Sequence, residues 1–215
     1  MILNNIKYFY PEKPQLILIN SDAFEEMSND PDFVAEPKFN EQRCELRMIN
    51  GHFEFWDRHG KLLKYNDDYN HKEEREEIED VFRNTFGVEG YFAFDTGLRH
   101  NKVIGIQNKL VIYDMHIRNG QVLNKIPFMR RRYLLEGYFG NWEYDISKNV
   151  HLINQHKNNF QRVYDDYVNG EHGNPDEFEG LVMKNLNGKL KLGRVSGADS
   201  LWMFKVRKQT GRHRY

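Results

Sequence analysis

Asn-Gly dipeptides bound short strand-like stretches in this chain, and they restrict its fold more than any other local feature. Asn50-Gly51 separates residues 44–48 from 52–56, Asn119-Gly120 follows 109–116, and Asn187-Gly188 lies between 179–184 and 189–195. Such a pair between strand-like segments specifies a tight hairpin, because both residues tolerate positive φ. Arg58-His59-Gly60 marks a further turn, and more strands are expected over 90–95, 102–106 and 201–207. Helical spacing takes over at 72–86, where Ile78, Val81, Phe82 and Thr85 recur behind a charged face. Residues 128–138 also read as helix, and 149–169 should contain a longer helix ending at Gly170. Short strands with a few helices predict an α+β domain of antiparallel β-sheets flanked by helices.

Composition narrows what such a domain does. The 215 residues, 39% hydrophobic and 29% charged, suit one domain with a real core, or one with a small appendage. Aromatic residues reach 14%, which fits a sheet-rich core and would also fit a surface that stacks bases. A formal net charge of −1 excludes a global basic field, so any nucleic-acid contact must come from local patches. Two candidates are Arg130-Arg131-Arg132 and the group Lys205, Arg207, Lys208, Arg212 and Arg214. Cys44 is the only cysteine, which excludes an intrachain disulfide and fits a cytoplasmic setting. The sequence shows no membrane-length apolar run and no secretory leader, so no membrane partner is expected; a monomer is the expected state. The nine histidines lack the Cys/His spacing of a zinc site.

The segment that carries chemistry is Glu36-Pro37-Lys38-Phe39-Asn40-Glu41-Gln42-Arg43, read as a loop before the first hairpin. A lone loop lysine is usually solvated, but four ordered segments at strand ends accompany this one. They are Phe55-Trp56-Asp57-Arg58-His59-Gly60-Lys61, Phe94-Asp95-Thr96-Gly97-Leu98-Arg99-His100, Val111-Ile112-Tyr113-Asp114, and Glu179-Gly180-Leu181-Val182-Met183-Lys184. Trp202-Met203-Phe204-Lys205-Val206-Arg207-Lys208 closes the series. Lys205 and Arg207 alternate on one expected strand and so face the same side.

This order resembles the collinear motifs of the covalent nucleotidyltransferases: ATP-dependent DNA ligases, RNA ligases and mRNA capping enzymes. It is most similar to small ATP-dependent ligase-like proteins of bacteriophages, over residues 34–208. The resemblance implies the nucleotidyltransferase (ATP-grasp-like adenylylation) domain of a ligase, without the OB-fold domain. Residues 1–33 would pack on that domain, and 209–215 would form a basic tail. The implied activity is ATP-dependent sealing of breaks in DNA or RNA, with Mg²⁺ or Mn²⁺ and a nicked or templated duplex as partner.

Roles follow from the resemblance position by position. Lys38 would attack the α-phosphate and become a lysyl-AMP, with Lys205 and Arg207 lining the α-phosphate and its leaving group. Free lysine has a pKa of about 10.4, so neighbouring cations and partial burial are expected to activate the amine. Glu36 would accept from the adenine amino group, Arg43 would reach the ribose or a strand end, and Tyr113 would stack on the base. Asp114 would support that strand, Lys184 the phosphates, Glu179 the metal, and Arg58 a nucleic-acid phosphate.

Three departures from the pattern stand out. The usual lysine motif ends in glycine, where this chain has Glu41. Relatives read Phe-Asp-Gly-Glu-Leu where this chain has Phe94-Asp95-Thr96-Gly97-Leu98. A glutamate that contacts ribose or metal is therefore missing in that register, and Asp95 is its candidate substitute. Lys205 also stands one residue further from Trp202 than in many DNA ligases. The rival readings are a capping-type guanylyltransferase using GTP and a non-catalytic nucleic-acid-binding module of the same fold.

Overall fold

Period-two alternation gives most strands of this chain one apolar and one polar face, and the fold uses both. The computed structural model describes residues 12–99, 109–140, 146–191 and 199–208. In chain order the elements are β1 (Lys13–Leu16), α1 (Asp22–Asn29), β2 (Phe33–Phe39), β3 (Gln42–Ile49), β4 (His52–Asp57), α2 (Lys72–Phe86) and β5 (Tyr91–Arg99). There follow β6 (Lys109–Arg118), β7 (Gln121–Val122), α3 (Phe128–Phe139), β8 (Val150–Leu152), α4 (Phe160–Val168), β9 (Phe178–Asn185) and β10 (Asp199–Arg207).

The strands form two sheets, one ordered β1-β10-β9-β2 and the other β4-β3-β5-β6-β7, with β8 also paired to β6. Pairing is antiparallel except for β1 with β10 and β6 with β8. The chain crosses from the first sheet to the second between Phe39 and Gln42, so Lys38 lies at the crossing.

Each sheet turns one apolar face outward under helices. In the larger sheet Cys44, Leu46 and Met48 of β3 and Phe92, Phe94 and Leu98 of β5 pack with Ile78 and Phe82 of α2 and Leu135 and Phe139 of α3. The smaller sheet packs Ala35, Leu181, Met183 and Val206 against Phe24 of α1 and Phe160, Tyr164 and Tyr167 of α4. Layers of helix, sheet, sheet and helix follow, and the inner faces carry Arg43, Asp95, Glu36 and Lys184 instead of a purely apolar filling.

Local chemistry explains most of the boundaries. Ser21 caps α1 by accepting from the Phe24 amide at 3.3 Å. The helix α2 opens with Glu73 and Glu74 and stops at Gly87, with φ of 78°. Asn50 and Gly51 have φ of 49° and 76°, and Asn119 and Gly120 have 46° and 78°, as a tight hairpin turn requires.

Several expectations are corrected. Lys38 is not in a loop but in β2, paired with Gly180 of β9. Asn187-Gly188 does not make a tight hairpin, and 189–191 are not strand, while the rest of that expected strand lies outside the described residues. Gly188 is there for close approach, since a Cβ on it would sit 2.2 Å from the Trp202 ring. The helix expected within 149–169 is present as α4 and stops before Gly170, but it is short, because Val150 to Leu152 pair with Leu110 to Ile112 as β8. The strand expected over 102–106, together with His100, Arg212 and Arg214, lies outside the described residues.

The triple arginine is not a surface patch. Arg131 is fully buried and grips Asp114 with two bonds, Nε to Oδ1 at 2.9 Å and Nη2 to Oδ2 at 2.7 Å. Arg132 bonds Glu136 and the Ile153 carbonyl, both at 2.7 Å, which leaves Arg130 as the exposed member. The Asp114–Arg131 pair ties β6 to α3, and removing one partner strands the other charge in a dry site. Asp114→Ala is expected to cost about 3–5 kcal/mol in urea-unfolding free energy; a loss below about 1 kcal/mol would contradict the role given to this pair.

Gly180 makes a second prediction. Its φ is 145°, and a Cβ there would lie 2.0 Å from the Val206 carbonyl oxygen of the neighbouring strand. Gly180→Ala must therefore push β9 from β10 or strain the backbone, at a cost of about 2–3 kcal/mol on the same measurement.

Candidate active site

Strand register brings the cationic residues together. In the smaller sheet Lys38 pairs with Gly180, which pairs with Arg207. One step along, Glu36 pairs with Val182 and Val182 with Lys205. Val34, Lys184 and Met203 form the next row. Directly paired residues point to the same side of a sheet, so Glu36, Lys38, Lys184, Lys205 and Arg207 share the face turned to the second sheet. Gly180 has no side chain, and the β10 backbone at Val206 and Arg207 lies close against it, which brings Arg207 and Lys38 to either side of β9.

Glu179 joins the same end. Phe178 and Leu181 both lie in the outer core, so the alternation of β9 breaks between them, at Gly180. That break turns Glu179 inward, where its carboxylate is hydrogen-bonded to the Lys38 ammonium. Both side chains keep partial access to solvent, at 25% for Lys38 and 32% for Glu179. Burial lowers the Lys205 amine below the usual lysine range, and Arg207 and Lys38 beside it lower it further. An anion among these groups would relieve their mutual repulsion.

Deeper in the cleft the ions are paired. Lys184 Nζ is 2.7 Å from Glu36 Oε2, with only 5% and 1% of the side chains exposed. Gln155 donates to the other Glu36 oxygen at 2.8 Å. The Lys184 ammonium also lies 5.7 Å from the centre of the Tyr113 ring and 4.7 Å from that of Phe128.

Across the cleft, Arg43 grips Asp95 through Nε and Nη2 at 2.8 and 2.6 Å. Burial pushes the Asp95 carboxyl up, but the charge and hydrogen bonds of Arg43, with His116 and Lys184 beyond, outweigh it and hold it below the usual range. Asp95 and Asp114 are partners in the β5–β6 ladder, and each carboxylate has its own arginine. The Tyr113 hydroxyl donates to Glu41, and burial together with that carboxylate pushes the phenol well above its ordinary value.

Lys38, Glu36, Lys184, Glu179, Lys205 and Arg207 therefore lie on one sheet, with Arg43, Asp95 and Tyr113 on the other. Arg58 stands apart. It is exposed in the turn after β4, where its Nε donates to His59 at 3.1 Å. Sequence reasoning missed Gln155, for which no local signal exists, since its partner is 119 residues away. It also treated Glu41 only as an oddity, although Glu41 touches Tyr113.

Among the described residues no group of three or more His, Cys, Asp or Glu is placed to hold a metal. A divalent ion here would take Glu179 as its protein carboxylate and fill its remaining positions with water and ligand oxygens, the habit of Mg²⁺. No described helix is long and apolar enough to cross a membrane.

No family model and no curated protein matches this sequence. Solved structures do match. A mycobacterial DNA ligase D complexed with ATP and MES superposes with a TM-score of 0.62 at 10% identity, over 94% of this chain and 61% of that one. The ligase domain of M. tuberculosis LigD gives 0.58 at 11% identity, over 92% and 58%. The ATP-dependent DNA ligase from bacteriophage T7, in complex with ATP, gives 0.51 at 15% identity, over 92% and 68%. The chain thus spans about three fifths of the mycobacterial structures it matches. At these identities the likeness is one of fold, and this chain has the nucleotidyltransferase fold of the ATP-dependent DNA ligases.

Proposed function

We propose that this chain is a nucleotidyltransferase of the ATP-dependent polynucleotide ligase type, working through a covalent lysyl-AMP at Lys38. The observation that carries the reading is the row Lys38–Gly180–Arg207, with Glu179 on the Lys38 ammonium and Lys205 in the next row. An amine and two cations on one sheet face suit attack on a phosphate whose leaving group is itself a polyanion. The ligase fold supports the same reading.

In the first step the Lys38 nitrogen forms a bond to the α-phosphorus while the bond to the bridging oxygen breaks, and pyrophosphate leaves with that electron pair. The proton that Lys38 must lose has the Glu179 carboxylate as its nearest acceptor. Lys205 and Arg207 hold the charge that develops on the phosphate oxygens. Mg²⁺, when bound beside Glu179, supplies further neutralisation of phosphate charge. Glu36 would give up one of its present partners for the adenine amine, with Tyr113 and Lys184 flanking the base and Arg43 held by Asp95 beside the sugar. AMP would then pass to a 5′-phosphate at a break in a nucleic-acid duplex, and a 3′-hydroxyl would displace it. Arg58, on the exposed turn, is the residue offered for the phosphate backbone of that duplex.

Incubation with α-labelled ATP and Mg²⁺ followed by a denaturing gel tests the first step. A labelled band is expected from the wild type and none from Lys38→Ala, with intact mass showing an added AMP. Equal labelling of the two proteins would refute Lys38 as nucleophile, and preferential labelling by GTP would favour a capping-type activity.

The anion site has its own test. Saturating inorganic pyrophosphate should raise the wild-type Tm by about 5–10 °C, on the basis of ligand linkage at roughly a hundredfold excess over Kd. Most of that shift should vanish in a Lys205→Ala/Arg207→Ala double variant. An unchanged Tm in the wild type would count against the row as a phosphate site.

A further inference from the structure

Gly97 of β5 and Glu41 of the β2–β3 crossing fit together as a seat and its occupant. A Cβ built on Gly97 would lie 1.9 Å from the carboxyl carbon of Glu41 and 1.9 and 2.0 Å from its two oxygens. The Glu41 carboxylate therefore fills the space into which a side chain at 97 would project. Gly97 does not have the positive φ that would by itself call for glycine. What demands glycine there is Glu41.

The place is informative. Gly97 pairs with Arg43 on one side and Val111 on the other, so the carboxylate lies over the inner face of the larger sheet. It accepts a hydrogen bond from Tyr113, and Arg43 is held nearby by Asp95, two residues along β5 from Gly97. Glu36 and Lys38 on the facing strand are two residues, or about 7 Å, apart. A nucleotide with its base at Glu36 and Tyr113 and its α-phosphate at Lys38 would have its sugar between them. The sugar carries the neutral hydroxyl donors of such a ligand, and an ionised carboxylate is an acceptor only.

The resemblance implies an exchange between these two positions. In the ligase motifs that this chain resembles, glycine stands at the position of Glu41 and glutamate at that of Gly97. The two residue types have traded places across a contact that the structure shows to be direct.

We infer that Glu41, seated on Gly97, is a specificity-determining residue that accepts the ribose hydroxyls of the nucleotide, a role delivered from the β2–β3 crossing instead of from β5. This rests on the proposed nucleotide site. It makes the pair reciprocal: each single change removes or duplicates the carboxylate, and the double exchange restores one carboxylate in one place.

The test compares wild type, Glu41→Gly, Gly97→Glu and Glu41→Gly/Gly97→Glu with ATP, 2′-deoxy-ATP and 3′-deoxy-ATP. Lys38 labelling is one readout. The other is the Tm shift each nucleotide causes in a Lys38→Ala background, which needs no transfer. Wild type should favour ATP over one or both deoxy analogues by about tenfold or more, the usual weight of a hydrogen bond to a charged group. Glu41→Gly should lose that preference, Gly97→Glu should lower both Tm and nucleotide response, and the double variant should recover the preference. In the absence of ligand, Gly97→Ala should lower Tm far more in the wild type than in the Glu41→Gly protein.

A double variant no better than its worse parent, or an unchanged preference in Glu41→Gly, would overturn the inference while labelling persisted. Discrimination without labelling would instead overturn the transfer reading and leave the ribose contact standing. No response to any nucleotide in either readout would overturn both.

Discussion

Between the two sheets, where many layered proteins place only apolar side chains, this chain buries paired charge. Asp95 is clasped by Arg43, Asp114 by Arg131, and Glu36 faces Lys184. Removing such groups from water costs several kcal/mol per ion, and the attraction between partners offsets it only when the geometry is good. Here two of the three pairs are bidentate, and Glu36 has Gln155 as a second donor. The consequence is a stiff polar interior. Each carboxylate of the adjacent Asp95 and Asp114 needs its own arginine, and these arginines come from β3 and from α3. Sheets and helix are thus held by the same contacts that line the cleft.

That arrangement divides the site into a paired depth and a less satisfied mouth. In the depth, Lys184 and Glu36 neutralise one another almost out of reach of water. Toward the mouth, Lys38, Lys205 and Arg207 share a face with the carboxylate of Glu179 beside Lys38, and Lys205 feels the excess of positive charge. A ligand with a neutral aromatic end and a polyanionic end matches this division. Polarity alone does not create the row. The regular pairing of β2, β9 and β10 does, together with a glycine that lets β9 and β10 approach and turns Glu179 inward.

The departures from the ligase pattern at Glu41 and Gly97, awkward when taken one at a time, become compatible once their contact is seen. Glu41 in place of glycine would otherwise leave a carboxylate without an evident position, and Gly97 in place of glutamate would leave a space without an occupant. Packed together they fill one volume. Tyr113 adds a hydrogen bond that holds the carboxylate in place and links both residues to the strand opposite Lys184.

Local rules sufficed for the helix at 72–86 and, to within a residue, for the one expected at 128–138, for the Asn50-Gly51 and Asn119-Gly120 turns, and for the ordered motifs that point to the fold. Helical periodicity and positive-φ tolerance are properties of neighbouring residues, so they are legible in the chain. Other features were decided only by tertiary structure. Lys38 looked like a loop residue until β9 supplied the partner that makes its segment a strand. Arg131 looked like a surface cation until Asp114 drew it inside, and the helix within 149–169 looked longer until β6 recruited the start of that stretch as β8. Gln155 reaches Glu36 across 119 residues, and Glu41 meets Gly97 and Tyr113 only because three strands are registered against one another. The physical reason is common to all of these: an ion pair, a ladder partner or a close approach belongs to two distant segments at once, and neither segment alone carries the energy that selects it.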